Sequence, residues 1–184
     1  MLEIIFYIIA LAIASISLLI SFLIGLSALA IFFVGVPFVP TPQRNVKLVI
    51  DQFNLKPGQK FYDLGCGDAR FLIEAERRGA RAIGFEVSPW AYLRGRLNLL
   101  LNKSQARMLY KNFYQADLSE ADAIFCFLLD TVMPKVEKKL SRELKPTSLF
   151  ISYGFKLPNW PPKNIIEINP TNKRSSKIYI YQKF

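Results

Sequence analysis

Residues 4–36 contain no charged side chain; they are Ile, Leu, Phe, Ala, Val, Ser, Gly and one Tyr. A helix that is apolar all round belongs in hydrocarbon, and about twenty residues cross a bilayer core. This run is roughly half as long again, so it can span with tilt. Residues 1–36 are therefore expected to form one transmembrane helix. The next stretch, VPFVPTP at 36–42, carries three prolines and should be stiff and extended, with 37–42 acting as a short tether or cap. From residue 43 the pattern changes. Val46, Val49, Ile50 and Phe53 recur at helical spacing over 43–53. Strand-like segments follow at 60–63, 81–85, 107–111, 121–129 and 148–153, separated by helical patterns at 68–78, 89–103 and 131–144. Strands alternating with helices imply a parallel sheet. ADAIFCFLL at 121–129 is apolar enough for a central strand buried on both faces. Two last strands, 163–168 and 177–182, flank a polar turn and imply an antiparallel edge. Residues 43–184 thus read as one α/β, Rossmann-like domain behind a membrane helix.

Composition refines this picture in three places. The chain has 184 residues, enough for one compact domain, and its 52% hydrophobic content is concentrated at the N-terminus. A cleavable signal peptide is the alternative to a span, but it wants a basic start, and here only Glu3 precedes the run. The first basic residues beyond it are Arg44 and Lys47, which by the positive-inside tendency puts the folded domain on the cytoplasmic side of a single-pass membrane protein. The formal charge is +10, from 24 basic and 14 acidic residues. Such a balance suits nucleic acid or anionic lipid, or simply solubility. With a span attached, lipid is the more economical partner, each Lys or Arg near an anionic leaflet contributing roughly 1 kcal/mol. Ala10, Ala14, Ser17, Ser21, Gly25 and Ala28 share one face of the span and are candidates for a helix–helix contact, although such residues are common in spans generally. The chain has no histidine, which excludes a His-based zinc site or a His general base, and no metal is expected. Cys66 and Cys126 read as small apolar residues near strand ends.

The candidate chemistry lies in FYDLGCGDARFLIEAERRGARAIGFEVSP, residues 61–89. A strand runs into a DxGxG turn, Asp63, Gly65 and Gly67, followed at once by Asp68. Glycines there let a ligand approach the backbone closely. About twenty residues on, the second strand ends at Glu86, placed to accept hydrogen bonds from a ribose diol. Two acids beside the turn suit no phosphate. They suit a ligand that carries adenosine and positive charge, and S-adenosylmethionine has both. The turn resembles motif I of the seven-strand, class I methyltransferases, and Glu86-Val87-Ser88-Pro89 resembles the acidic end of their second strand. Ala69 stands where that motif usually has glycine; a methyl there should only narrow the turn.

Further segments are similar to one group within that class. VPFVPTP, Asn112-Phe113 after the third strand, FLLDTVMPKVEKKLSRELKP and ISYGFKLPNWPP resemble the small seven-strand protein-lysine methyltransferases. These include crenarchaeal broad-specificity enzymes and membrane-anchored mitochondrial enzymes acting on ATP synthase c-subunit and adenine nucleotide translocase. The resemblance implies that Asp63, Gly65, Gly67 and Asp68 hold the methionine end of the cofactor. It implies that Glu86 holds the ribose and that Val87, Asn112 and Phe113 meet the adenine. It makes Phe38, Thr41 and Pro42 candidates for a cap over the cofactor. Arg70 follows the turn as in the family, or simply sits solvated at a helix start.

Methyl transfer to lysine needs the neutral amine, which at pH 7 costs about 4.6 kcal/mol from a reference pKa near 10.4. Burial beside a positive charge lowers that cost without a histidine. Phe38, Phe127 and Tyr153 are weak candidates for an apolar lysine channel, each equally suited to plain core. Enzymes that methylate nucleic-acid amines place a polar Asn/Asp-Pro-Pro-aromatic clamp after the fourth strand. Here that place reads Phe125-Cys126-Phe127-Leu128-Leu129, which argues against a nucleic-acid acceptor. The expected activity is protein-lysine methylation near a membrane. A membrane-embedded lipid or quinone acceptor and a catalytically silent adaptor are the alternatives.

Overall fold

The computed structural model describes residues 2–34, 40–172 and 175–183. Helix α1 (Leu2–Val34) is 33 residues long. Its segment Leu2–Leu26 has a mean hydropathy of 2.6 and is not buried by the rest of the chain. Among its described side chains only Leu23 and Leu26 are partly covered. Length and composition thus make α1 a candidate span, and Ala10, Ala14, Ser17, Ser21, Gly25 and Ala28 all lie exposed on it. Most of the proline-rich stretch, including Phe38, lies outside the described residues.

The remaining elements alternate as the apolar pattern predicts: α2 (Gln43–Asp51), β1 (Lys60–Leu64), α3 (Arg70–Arg77), β2 (Arg81–Glu86), α4 (Pro89–Leu101), β3 (Arg107–Tyr110), β4 (Ala123–Cys126), α5 (Met133–Glu143), β5 (Leu149–Tyr153), β6 (Asn164–Glu167) and β7 (Lys177–Gln182). Seven strands form one sheet in the order β3-β2-β1-β4-β5-β7-β6. β1 through β5 are parallel, with Asp63 beside both Gly84 of β2 and Phe125 of β4. β7 runs antiparallel to both β5 and β6. The chain leaves β1 for β2 on one side and returns as β4 on the other, so a crevice opens beyond the carboxyl ends of β1, β2 and β4, where ligands of open α/β sheets bind.

The strands are buried on both faces, so successive residues serve opposite cores. Phe61 and Phe125 pack under α2 and α3 with Val49, Ile50 and Leu72. Tyr62 and Ile124 pack on the other side with Val136 and Leu140 of α5. β4 is wholly buried, as the apolar run at 121–129 predicts. Only four of those nine residues pair as strand; Phe127 to Leu129 leave the sheet before a 3₁₀ turn at Asp130–Val132. The helix expected at 131–144 accordingly starts at Met133, with a proline in its first turn, where a missing N–H costs nothing.

α3 starts two residues later than its apolar pattern suggests, because Ala69 has φ +66°, outside the right-handed helix. The expectation that its methyl would merely narrow the turn is therefore too mild. A left-handed conformation costs an L-residue roughly 1–2 kcal/mol.

Candidate cofactor and active site

The turn after β1 is built by three successive departures from ordinary backbone. Gly65 (φ +90°) and Gly67 (φ +52°) occupy conformations that L side chains avoid, and Ala69 follows them. The N–H groups of Gly65 and Cys66 both donate to the Phe85 carbonyl at 2.9 Å, tying the turn to the end of β2. Two further glycines make room for this packing. A Cβ on Gly84 would come within 2.5 Å of Cys66 Sγ, and one on Gly95 of α4 within 2.8 Å of the Gly67 carbonyl oxygen. Asn98 of α4 donates to the Asp68 carbonyl at 2.9 Å. Helix α4 therefore braces the turn from outside.

Glu86 is the centre of that bracing. Its Oε2 accepts from the Gly67 N–H at 2.9 Å. Its Oε1 accepts from the N–H groups of Val87 (2.9 Å) and Ser88 (2.8 Å). Burial pushes the Glu86 carboxyl up, and the three N–H donors pull it back down, leaving it raised. A carboxylate has about four acceptor sites, so capacity for a hydroxyl remains.

The two acids flanking the turn differ. Asp68 is buried but neutralised: Arg70 Nε donates to its Oδ1 at 2.7 Å, and the other guanidinium edge pairs with Oδ2. The same guanidinium donates to the Thr41 carbonyl, which fastens the segment ahead of α2 over the turn. Arg70 is thus a clamp rather than a solvated helix-start residue, and sequence reasoning had no signal to separate the two roles. Asp63 is 1% exposed, and among the described residues neither of its carboxylate oxygens has a hydrogen-bond partner. Burial, then the charges of Glu86 and Asp68, push its pKa well above the ordinary value. A buried carboxylate without a partner is costly, and few buried polar groups in native proteins lack one.

These groups line a single cleft with Pro40, Thr41, Phe85, Val87, Ser88, Lys111, Asn112, Phe113, Phe125, Phe127 and Leu128. Thr41 and Phe113 are buried. Asn112 also caps the 3₁₀ turn Phe113–Gln115, its Oδ1 accepting from the Tyr114 N–H at 3.0 Å. Phe127 sits at the cleft with its ring edge-to-face with Tyr153, centroids 4.8 Å apart. Tyr153 is buried behind it, its hydroxyl accepting from Asn45 Nδ2 at 3.1 Å. The sequence candidates Asp63, Gly65, Gly67, Asp68, Glu86, Val87, Asn112, Phe113, Thr41 and Phe127 meet in this cleft. Tyr153 supports it at one remove. Lys111, Leu128 and Pro40 also line it; Lys111 follows directly on β3, Leu128 lies two residues beyond β4 and Pro40 lies shortly before α2, positions at element ends that could have pointed to them. Cys66 and Cys126 are free and buried.

The donor set fits S-adenosylmethionine. An unpaired buried acid answers an ammonium or sulfonium, Glu86 answers a diol, and a side of Phe85, Val87 and Phe113 answers a purine.

Comparison with known proteins agrees. The profile of the ANTKMT methyltransferase domain matches residues 63–164. A protein-lysine N-methyltransferase of Saccharolobus islandicus (strain REY15A) is 32% identical over 150 residues, covering 79% of this chain and 92% of the relative. The adenine nucleotide translocase lysine N-methyltransferase of Mus musculus is 32% identical over 134 residues, 71% of this chain but only 58% of the mouse protein. A crystal structure of an RNA methyltransferase from Salinibacter ruber with S-adenosyl-L-homocysteine superposes with a TM-score of 0.72 at 27% identity, covering 78% of this chain and 93% of that one.

Proposed function

Because the chain belongs to the ANTKMT methyltransferase domain family, we propose that this S-adenosylmethionine-dependent methyltransferase acts on lysine side chains of proteins held close to a membrane. The cofactor supplies a methyl group on a sulfonium and brings a positive charge to the cleft. Asp63 would receive its ammonium, and Glu86 its ribose hydroxyls. Val87 and Phe113 would flank the adenine with Asn112 at its edge, and Thr41 would close over it. Asp68 supports the site by holding Arg70, and through it Thr41, in place.

The observation that carries the lysine reading is the segment after β4. Phe127 and Leu128 line the cleft there, where a polar clamp for a planar base amine would stand. An apolar mouth disfavours the ammonium form of an entering lysine, lowering the roughly 4.6 kcal/mol needed to reach the amine at pH 7. Burial pushes both the Cys66 and Cys126 thiols up, which favours their protonated form, and Cys126 does not line the cleft. Solvent at the open side of the cleft is the natural sink for the proton.

The membrane half of the proposal rests on α1, whose apolar surface is otherwise uncovered, and on the basic charge of the chain. The short proline-rich tether keeps the cleft near the headgroups, on the cytoplasmic side by the placement of Arg44 and Lys47. Incubation of native membranes with the full chain and cofactor labelled in the methyl group tests both halves. Label should appear on lysines of membrane proteins, mapped by mass spectrometry. Label confined to the organic extract would instead establish a lipid or quinone acceptor, and none at all a silent adaptor.

A further inference from the structure

Outside α1, seven large apolar side chains are exposed among the described residues: Trp90, Leu93, Leu97, Leu100, Leu101, Tyr110 and Ile165. Five of the seven belong to α4. Their spacing of three, four, three and one places them along one face of that helix. The opposite face, Ala91, Gly95 and Leu99, is buried against the domain. α4 is therefore apolar on both sides, with Leu100 and Leu101 still 74% and 72% exposed. Scattered surface leucines need no explanation, but a contiguous row does.

Two observations identify what covers the row. It is bordered by basic side chains, Arg94 on one flank and Arg96 on the other, with Lys103 just beyond the helix and Arg107 on the neighbouring strand. Apolar face plus arginine flanks is the pattern of a helix lying in the headgroup layer of an anionic bilayer. Second, α1 touches α4 in the folded chain. The described side chains of α1 that are partly covered, Leu23 and Leu26, lie in its second half. A span that meets α4 holds α4 at the membrane surface.

We propose that the outer face of α4, Trp90, Leu93, Leu97, Leu100 and Leu101 with Arg94 and Arg96, docks on the headgroup–acyl boundary of an anionic phospholipid bilayer. The inference rests on the reading of α1 as a membrane anchor and goes beyond it, because it fixes the orientation of the domain. α4 begins immediately after Ser88, which lines the cleft, and its body braces the glycine turn. With α4 flat on the lipid, the cleft is held at a fixed height and tilt. The acceptor lysines are then those within the headgroup layer rather than anywhere on the cytoplasmic surface.

The test uses the full chain with Trp160→Phe, leaving Trp90 as its single tryptophan. It is reconstituted into phosphatidylcholine–phosphatidylglycerol vesicles, with and without bromine on the upper acyl carbons, and followed by flotation and by fluorescence. Docking predicts that the chain floats and that bromine quenches Trp90 about twofold or more. The variant Leu93→Glu/Leu97→Glu/Leu101→Glu, at solvent-facing positions, should still float through α1 and keep its melting temperature. Its Trp90 should escape quenching and emit to the red. A chain that floats with unquenched Trp90, or a triple variant quenched like its parent, overturns docking and leaves the anchor standing. Unquenched Trp90 together with disulfide-linked dimers of Leu97→Cys assigns the face to a second copy and also overturns it. A chain that does not float removes both the anchor and the docking.

Discussion

The ends of β1 and β2 make a controlled pair. Each strand carries a buried acid at the carboxyl edge of one sheet, Asp63 next to last in β1 and Glu86 last in β2, and burial raises the pKa of each. Yet Glu86 accepts three backbone N–H bonds, and Asp63 accepts none. The fold uses Glu86 before any ligand arrives: it holds Gly67, Val87 and Ser88 where the turn and α4 begin. Asp63 does nothing for the cofactor-free fold and costs it stability. One carboxylate is part of the scaffold; the other is left without a partner among the described residues, which supports the proposal that it receives the cofactor's cation. Substitutions at the two positions should therefore part company in a way their similar burial does not suggest.

The largest effect is expected at Glu86. Glu86→Ala leaves three N–H groups without their acceptor, each costing about 1–3 kcal/mol where water cannot reach it. Relief of the buried charge offsets part of this, for a net loss of about 2–3 kcal/mol, read as a lowered thermal midpoint of the full chain in detergent. Cofactor affinity should fall about 100-fold or more, since charge-assisted hydrogen bonds of roughly 1.5–3 kcal/mol each are lost along with the turn. A variant as stable as the parent would break the scaffold half of the comparison.

Asp63→Asn should separate binding from folding. Titration calorimetry should show affinity for the cofactor reduced about 10- to 100-fold, or roughly 1.4–2.8 kcal/mol. Stability at neutral pH should hold or rise, because a desolvated charge has been removed. The pH dependence follows from the raised pKa of Asp63. The folded chain keeps its proton at pH values where the unfolded chain has lost it. The cofactor-free fold therefore weakens as pH climbs from the ordinary value of 3.8 through the folded pKa. A cation favours the carboxylate, so cofactor affinity should strengthen across the same window and then level off. Glu86 titrates over part of that range as well, so the Asp63→Asn profile supplies the subtraction. An unchanged pH profile in that variant would assign the dependence to Glu86.

The contrast between the acids also marks how far the sequence could be read. The order of strands and helices, the antiparallel end and the position of the crevice were legible, because apolar periodicity and glycine spacing are local signals. Most of the candidate residues in the cleft were legible for the same reason, since they lie at or just beyond the carboxyl end of a strand, whereas Pro40, Lys111 and Leu128 were not singled out. What was not legible is who pairs with whom. Asp63 and Asp68 look alike in DLGCGD, and only the folded chain brings Arg70 onto one and nothing onto the other. Likewise the sequence of α4 offers two apolar faces, Leu93, Leu97 and Leu101 on one and Ala91, Gly95 and Leu99 on the other. A helix apolar on two sides gives no periodic clue as to which side is buried, and here Gly95, which admits the turn, decides it.

Ala69 offers the smallest and most exacting test, because three effects of similar size oppose one another there. Its φ of +66° costs an alanine roughly 1–2 kcal/mol that glycine avoids. Against this, Ala69 is fully buried, and deleting its methyl loses about 0.8 kcal/mol of apolar burial. Glycine also gains freedom in the unfolded chain, worth about 0.4–1 kcal/mol. The sum leaves Ala69→Gly within about half a kcal/mol of the parent, with cofactor affinity unchanged because the Asp63 and Glu86 carboxylates do not move. Alanine can then stand at this position without loss, its packing offsetting its strain. A stabilisation above about 1 kcal/mol would mean that the methyl packs poorly. An equal destabilisation would mean that the turn relaxes its strain through Gly67, and would make Glu86, which grips Gly67, the residue that absorbs it.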